Sequence, residues 1–321
     1  MNQLSAYTSF IENELGKLDL PVNPANLYEP LEYFLQLEGK KIRPVLTLLS
    51  SELFGGTKEK AKHAALAVEM FHNFTLIHDD IMDRAPLRRG HSTVHQKWNE
   101  NIAILSGDVL LIKAYQQLSK INSSILPQII DLFNRTAVEV CEGQQMDMDF
   151  ESRSNVSKDE YINMIKLKTS VLLGCALKMG ALICETNSDN CHNIYEFGVN
   201  LGIAFQIQDD WLDLYGEQIK VGKQTGGDII ANKNTLLTIV GRESSSQKQL
   251  SQLDEIRNIK SPSEKIERTK ELFNDLNVRE SCLKVIHDYH NKAIYSLSKV
   301  ETNEDKSTLV GLTNKLLNRE F

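Results

Sequence analysis

Residues 205–213 read FQIQDDWLD and residues 78–83 read HDDIMD, so the chain carries two acidic clusters of one spacing, Asp79-Asp80-x-x-Asp83 and Asp209-Asp210-x-x-Asp213. If each stretch is helical, the first and last aspartates of a cluster project from one face, one turn apart. The flanks are apolar: Phe74, Leu76, Ile77, Ile81 and Met82 around the first, Phe205, Ile207, Trp211, Leu212 and Leu214 around the second. Carboxylates so placed lose water and repel one another unless positive charge compensates them. Oxygen-only ligands suit Mg²⁺, which takes one or two carboxylates and fills its shell with water and substrate phosphates.

Working outward, apolar residues recur at helical rather than alternating spacing, as in Leu31, Phe34, Leu35 and then Val45, Leu46, Leu48, Leu49. This predicts an all-α protein. The seven prolines fall mostly where helices should begin or be joined, and Gly55-Gly56-Thr57 reads as a helix stop followed by a new N-cap. No strong linker interrupts the periodicity between Tyr28 and Leu237, which predicts a single domain over residues 1–321. Residues 243–270, rich in Ser, Gln, Lys and Glu, read as a solvated pair of peripheral helices with no chemistry assigned.

Composition excludes several classes. A formal charge of -7 with no dense basic run argues against nucleic acid as a partner. Five cysteines form no CxxC pair, and the N-terminus lacks the basic-then-apolar layout of a signal peptide, so the chain reads as cytoplasmic and reduced. The longest apolar stretch, Val171 to Cys184, is interrupted by Lys178 and falls short of the roughly 20 residues that span a bilayer. It reads as a buried helix.

Cations accompany the acidic clusters. Arg88-Arg89-Gly90 follows Asp83 beyond Pro86, and two guanidinium forks beside a Mg²⁺ site point to a diphosphate. Upstream, Gly39-Lys40-Lys41-Ile42-Arg43-Pro44 places a second basic group at a helix entrance, so two diphosphates can be held at once. After the second cluster, Tyr215 to Thr235 mixes four glycines with Lys220, Lys223 and Lys233, a composition suited to a flap over phosphates. His72, His78, His91 and His95 lack HExxH spacing, which disfavours zinc.

These motifs, in this order, resemble the polyprenyl (trans-isoprenyl diphosphate) synthase family from Gly39 to about Thr235. The matching elements are GKxxRP at 39–44, His72, HDDIMD, RRG at 88–90, Gly107-Asp108, Gly143-Gln144 with Asp147, Lys168-Thr169, FQIQDDWLD, Gly222-Lys223, Asp228, Lys233 and Thr235. The resemblance implies an isoprenoid synthase bundle of long helices around a central cavity, the two aspartate clusters facing across its mouth, and a homodimer. It further implies that Asp79, Asp80, Asp83, Asp209, Asp210 and Asp213 bind Mg²⁺. Arg88, Lys168, Thr169, Gln206, Lys223 and Lys233 would meet the allylic diphosphate or the charge developing beside it. Lys40, Arg43, His72 and Arg89 would hold isopentenyl diphosphate. Gly143, Gln144 and Asp147 are left as cavity wall, outside the catalytic set.

The reaction so implied is ionisation of an allylic diphosphate, attack by the isopentenyl double bond and proton loss to an alkene five carbons longer. Water must be kept out, because it would quench the allylic cation. Phe74 lies five residues and Phe71 eight residues before Asp79, so both can floor the cavity and limit elongation. An aromatic side chain at that position resembles the geranylgeranyl pattern, with a farnesyl product as the runner-up. A terpene cyclase is disfavoured by the second DDxxD, and a non-catalytic regulatory subunit by the intact ligand set.

Overall fold

The computed structural model describes residues 2–153, 155–216 and 226–317. Helices α1 (Asn2–Gly16), α2 (Ala25–Gln36), α3 (Ile42–Leu53) and α4 (Lys58–Met82) open the chain. A two-stranded ribbon, β1 (Leu87–Arg88) with β2 (His91–Ser92), precedes α5 (Val94–Lys97), α6 (Glu100–Leu118), α7 (Leu126–Glu151) and α8 (Lys158–Ile165). A π turn at Lys166–Ser170 leads into α9 (Val171–Ile183) and α10 (Ser188–Tyr215). The remainder is α11 (Gly227–Ile230), α12 (Leu236–Glu243), α13 (Gln247–Arg257), α14 (Pro262–Asp275), α15 (Val278–Ser298) and α16 (Ser307–Leu317).

Local chemistry sets several of these boundaries. Thr57 caps α4 by accepting from the Lys60 amide at 3.2 Å, after the chain turns at Gly55, as the Gly-Gly-Thr reading predicts. Asn99 caps α6 in the same way, accepting from Ile102 N at 2.9 Å, and Pro262 occupies the first turn of α14. Pro30 departs from expectation, because it lies inside α2. A proline there removes a single helical hydrogen bond, the one Asn26 would accept, and the helix continues because Leu31 and Phe34 are fully buried beyond it.

The chain divides into two compact units: residues 1–133, 175–192 and 302–305, and residues 134–174, 193–301 and 306–321. In the first, α4 packs on α3 and α6, and every side chain from Ala64 to Phe71 is buried. A helix segment buried all round is a core helix, and Glu69 lies within it. In the second, α8, α10, α12, α14 and α15 share a core that includes Tyr161, Ile165, Ile203, Ile207, Leu237, Phe273 and Ile286. The stretch read as a buried helix forms α9, with Lys178 its only side chain between Val171 and Ala181 that is not buried. All five cysteines are free, and no helix among the described residues is long and apolar enough to cross a membrane.

Candidate active site

Both aspartate clusters sit at helix C-termini. Asp79 and Asp80 occupy the last turn of α4, and Asp83 caps it with its amide donating to Asp79 O at 2.8 Å. Asp209, Asp210 and Asp213 lie in the last two turns of α10. Exposed carbonyls make a helix C-terminus the negative end of its dipole, where carboxylates are disfavoured and neither helix supplies a basic residue in its last turn. Six carboxylates at two such ends break a local rule, which is where functional sites are expected.

In the first unit, Arg88 answers Asp80. Its Nε and one terminal nitrogen donate to Asp80 Oδ1 at 3.0 and 2.6 Å, while Asp80 Oδ2 is enclosed and accepts no hydrogen bond. Burial raises the Asp80 carboxyl above its ordinary range, with Arg88 pulling the other way. Arg88 is delivered by the ribbon, which the all-helical reading missed: strands of two residues are too short to show alternation. Arg88 pairs with His91 across a two-residue turn, Arg89-Gly90, in which both φ angles are positive at 53° and 80°. That is the signature of a type I′ hairpin and the physical reason for glycine in RRG.

Beside the hairpin lies a cationic cradle. A terminal nitrogen of Arg43 is 3.0 Å from His72 Nε2; since guanidinium only donates, the imidazole accepts there and carries its proton on Nδ1. Loss of water, followed by the charges of Arg43, Arg89, Arg88 and Lys41, holds His72 well below its ordinary pKa. Desolvation also brings Arg43 down to about 10 and lowers Arg89. Arg89 donates to Leu37 O at 3.3 Å, and Lys40 is exposed near the end of the same loop. Phe71 is buried and meets Phe74 at 5.7 Å between ring centres and Phe133, edge to face, at 5.2 Å, with Tyr115 continuing the edge-to-face series 5.2 Å beyond Phe133. Phe74 in turn contacts His78, whose Nε2 is 3.2 Å from Ile104 O, so His78 braces α4 against α6.

The second unit holds a cavity of ≈ 590 Å³, its wall including Asp147, Tyr161, Lys168, Thr169, Gln206, Asp210, Asp228 and Lys233. Tyr161 OH donates to Asp210 Oδ2, Gln206 Nε2 donates to Asp210 Oδ1 at 3.1 Å, and Thr169 Oγ1 donates to Gln206 Oε1 at 3.4 Å. Burial, with the Asp228 charge adding to it, raises Asp210 to about 7 despite those two donors. Lys168 pairs with Asp147, and both Lys168 and Thr169 ride the π turn, a local widening frequent at functional sites. At Gly143, α7 runs so near that turn that a Cβ would lie 2.2 Å from Lys168 N.

Asp213 serves this unit's backbone. Its Oδ2 accepts from Asp228 N at 3.0 Å and its carbonyl from Gly226 N at 2.6 Å, tying α10 to the start of α11. Lys233 then approaches Asp228 at 3.9 Å. From the other side comes Lys265, on one of the two helices assigned no chemistry. It is 4% exposed, and its ammonium donates to Ile230 O at 3.2 Å and Arg257 O at 3.1 Å. Lys265→Met strands two carbonyls and is expected to cost about 1–3 kcal/mol in urea denaturation. An unchanged midpoint would show that the ammonium does not hold this segment.

Of the residues anticipated from sequence, Lys40, Arg43, Phe71, Phe74, His72, Asp79, Asp80, Asp83, Arg88 and Arg89 fall in the first unit. Lys168, Thr169, Gln206, Asp209, Asp210, Asp213 and Lys233 fall in the second. Lys223, with Gly222 and Lys220, lies outside the described residues. Sequence reasoning overlooked Tyr161 and left Asp147 and Asp228 outside the site; isolated polar residues in helical stretches look like solvated faces.

The polyprenyl synthetase family model matches residues 24–276. This chain belongs to the polyprenyl synthetase family. A geranylgeranyl diphosphate synthase of Saccharolobus solfataricus is 37% identical over 311 residues, 93% of this chain and 92% of its own. A short chain isoprenyl diphosphate synthase of Methanothermobacter thermautotrophicus is 34% identical over 322 aligned positions, covering 100% of this chain and 98% of its own. The crystal structure of a geranylgeranyl pyrophosphate synthase matches with a TM-score of 0.95 and 43% identity, both chains covered in full. The architecture is thus the all-α isoprenoid synthase fold of the polyprenyl synthetases.

Proposed function

We propose that the chain, acting as one polyprenyl synthase domain over residues 1–321, is a trans-prenyltransferase. It condenses isopentenyl diphosphate with allylic diphosphates to an all-trans product, geranylgeranyl diphosphate, with farnesyl diphosphate as the alternative. One observation carries this reading: each unit sets a buried aspartate at a helix C-terminus, raised in pKa by its burial, among cationic side chains fit for diphosphate. Relatives from several archaea that bear the geranylgeranyl name support the product length.

Mg²⁺ suits these donors. Asp80 Oδ2 is enclosed without a hydrogen-bond donor, and the Asp210 carboxyl is disfavoured as an anion until positive charge approaches. Among the described residues no three His, Cys, Asp or Glu side chains group to hold a metal alone, so water and substrate phosphate would complete the shell. Asp79, Asp80, Asp83, Asp209, Asp210 and Asp213 would hold the ions, which when bound neutralise the departing diphosphate.

The remaining work belongs to the chain. Arg88 exchanges its Asp80 contact for a diphosphate oxygen, and Lys168, Lys233 and Lys223 add charge to the allylic diphosphate. Thr169 and Gln206 present oxygen dipoles to the cation formed as the carbon–oxygen bond breaks. Lys40, Arg43, His72 and Arg89 fix isopentenyl diphosphate, His72 as a neutral imidazole. Its double bond attacks the cation, and a proton then leaves to diphosphate oxygen. We propose a cytoplasmic homodimer as the working form.

Phe74, backed by the edge-to-face series Phe71–Phe133–Tyr115, would stop elongation. Phe74→Ala is expected to shift the main product by at least one isoprene unit while activity persists, read by mass spectrometry of the dephosphorylated alcohols. An unchanged chain length would remove Phe74 from the floor. A wild-type protein that forms no elongated product would reject the prenyltransferase reading itself.

A further inference from the structure

Glu69 is an acidic side chain buried against the segment that carries Lys40 and Arg43 of the proposed isopentenyl diphosphate cradle. Its side chain is 1% exposed, and Oε1 lies 3.0 Å from the ammonium of Lys41, which is 2% exposed. Asn73 Nδ2 also donates to Oε1, at 3.1 Å, while Oε2 is enclosed without a hydrogen bond. Two charges so deeply buried each cost several kcal/mol of lost hydration, and well-packed apolar residues often serve stability as well or better. Stability alone therefore gives little reason for the pair. Its place in the chain gives another.

Lys41 stands between Lys40 and Arg43 and begins α3 in the left-handed region, at φ 46° and ψ 37°. A lysine reaches that conformation at a cost, and the ion pair to Glu69 on α4 is placed to hold it there. Glu69 also acts on the neighbouring cations. It is the strongest attractive influence on the charges of both Arg43 and Arg89, which otherwise repel one another and lose water. Arg43 Nε is itself enclosed without an acceptor.

We propose that Glu69 is a positioning residue for the isopentenyl diphosphate cradle, anchoring the 39–43 turn, and with it Arg43, through Lys41 before the diphosphate arrives. The inference rests on the function proposed above. It carries a sign that separates it from simple charge: a carboxylate that merely repelled the ligand would, on removal, tighten binding.

The test is Glu69→Gln, which keeps the shape and the acceptor for Asn73. The expected result is a rise of roughly tenfold in both KM and calorimetric Kd for isopentenyl diphosphate, the scale of a lost hydrogen bond to a charged group. The allylic KM should stay within about twofold, as befits a residue acting on one cradle. Lys41→Met should show the same selective rise. The double variant should be no worse than either single one, as residues acting as a unit require. Should Glu69→Gln fail to fold, Lys41→Met with Glu69→Asp decides by the same constants. Tighter or unchanged isopentenyl diphosphate binding, or a loss of thermal stability with both KM values unmoved, would overturn the inference. A wild-type protein that binds no isopentenyl diphosphate would overturn the proposed function and this inference with it; a wild type and variant that bind equally would overturn this inference alone.

Discussion

Asp80→Ala is expected to lower kcat/KM by at least about 10³-fold, the upper end of what one preorganised stabilising group contributes. Asp80 is 1% exposed at the C-terminal end of α4, with one oxygen held by Arg88 and the other enclosed without a donor. Removing it deletes a proposed metal ligand and releases Arg88 from its resting contact. The fold should tolerate the change, because the buried carboxylate is itself destabilised by desolvation. Steady-state kinetics at saturating Mg²⁺, with a circular dichroism melt as control, measure this. Asp79→Ala should behave alike. Near-normal turnover in either variant would count against the site.

Gly143→Ala should be nearly as damaging for a different reason. Its Cβ would lie 2.2 Å from Lys168 N, 2.6 Å from Lys168 Cα and 2.7 Å from Leu167 C. All three are backbone atoms of the π turn or its flank, so no rotamer change relieves the clash. α7 and the turn must separate, carrying Lys168 and Thr169 away from Gln206 and Asp147. Overpacking of this kind costs about 3 kcal/mol, and misplacing a reacting group by about 1 Å costs roughly 10²-fold in rate. Denaturation and allylic-substrate kinetics together decide it. An alanine variant with wild-type stability and rate would show that the approach of α7 to the turn does not matter.

The aspartate clusters are legible in the sequence because charge amid large apolar residues is anomalous wherever it occurs, and its repetition at one spacing compounds the anomaly. Helices are legible from period, as α2 and α3 show, α9 is legible from the length of its apolar stretch, and Thr57 is legible as a cap from its glycines. Pairings across space are not. Nothing local marks Tyr161 as the donor to Asp210, Asp147 as the partner of Lys168, or Glu69 as the anchor of Lys41, since each looks like an ordinary polar residue in a helix. Lys265 shows the same limit from the opposite side, as a buried cation in a stretch whose composition reads as solvated. The β1–β2 ribbon escapes periodicity because each strand has two residues, although Arg89-Gly90 carries its turn. Gly143 has a spatial meaning that appears only when Lys168 is found against it.

Dimensional matching of products gives the most direct test of the central claim. The wild-type protein, Mg²⁺, isopentenyl diphosphate and five-, ten- or fifteen-carbon allylic diphosphates are incubated together, and the chain length formed from each is measured with and without a chelator. Mg²⁺-dependent elongation that stops at the twenty-carbon diphosphate is the expected result, and a stop at fifteen carbons would select the farnesyl alternative. A cyclic hydrocarbon from an allylic diphosphate alone, or no elongated product from any starter, would contradict it.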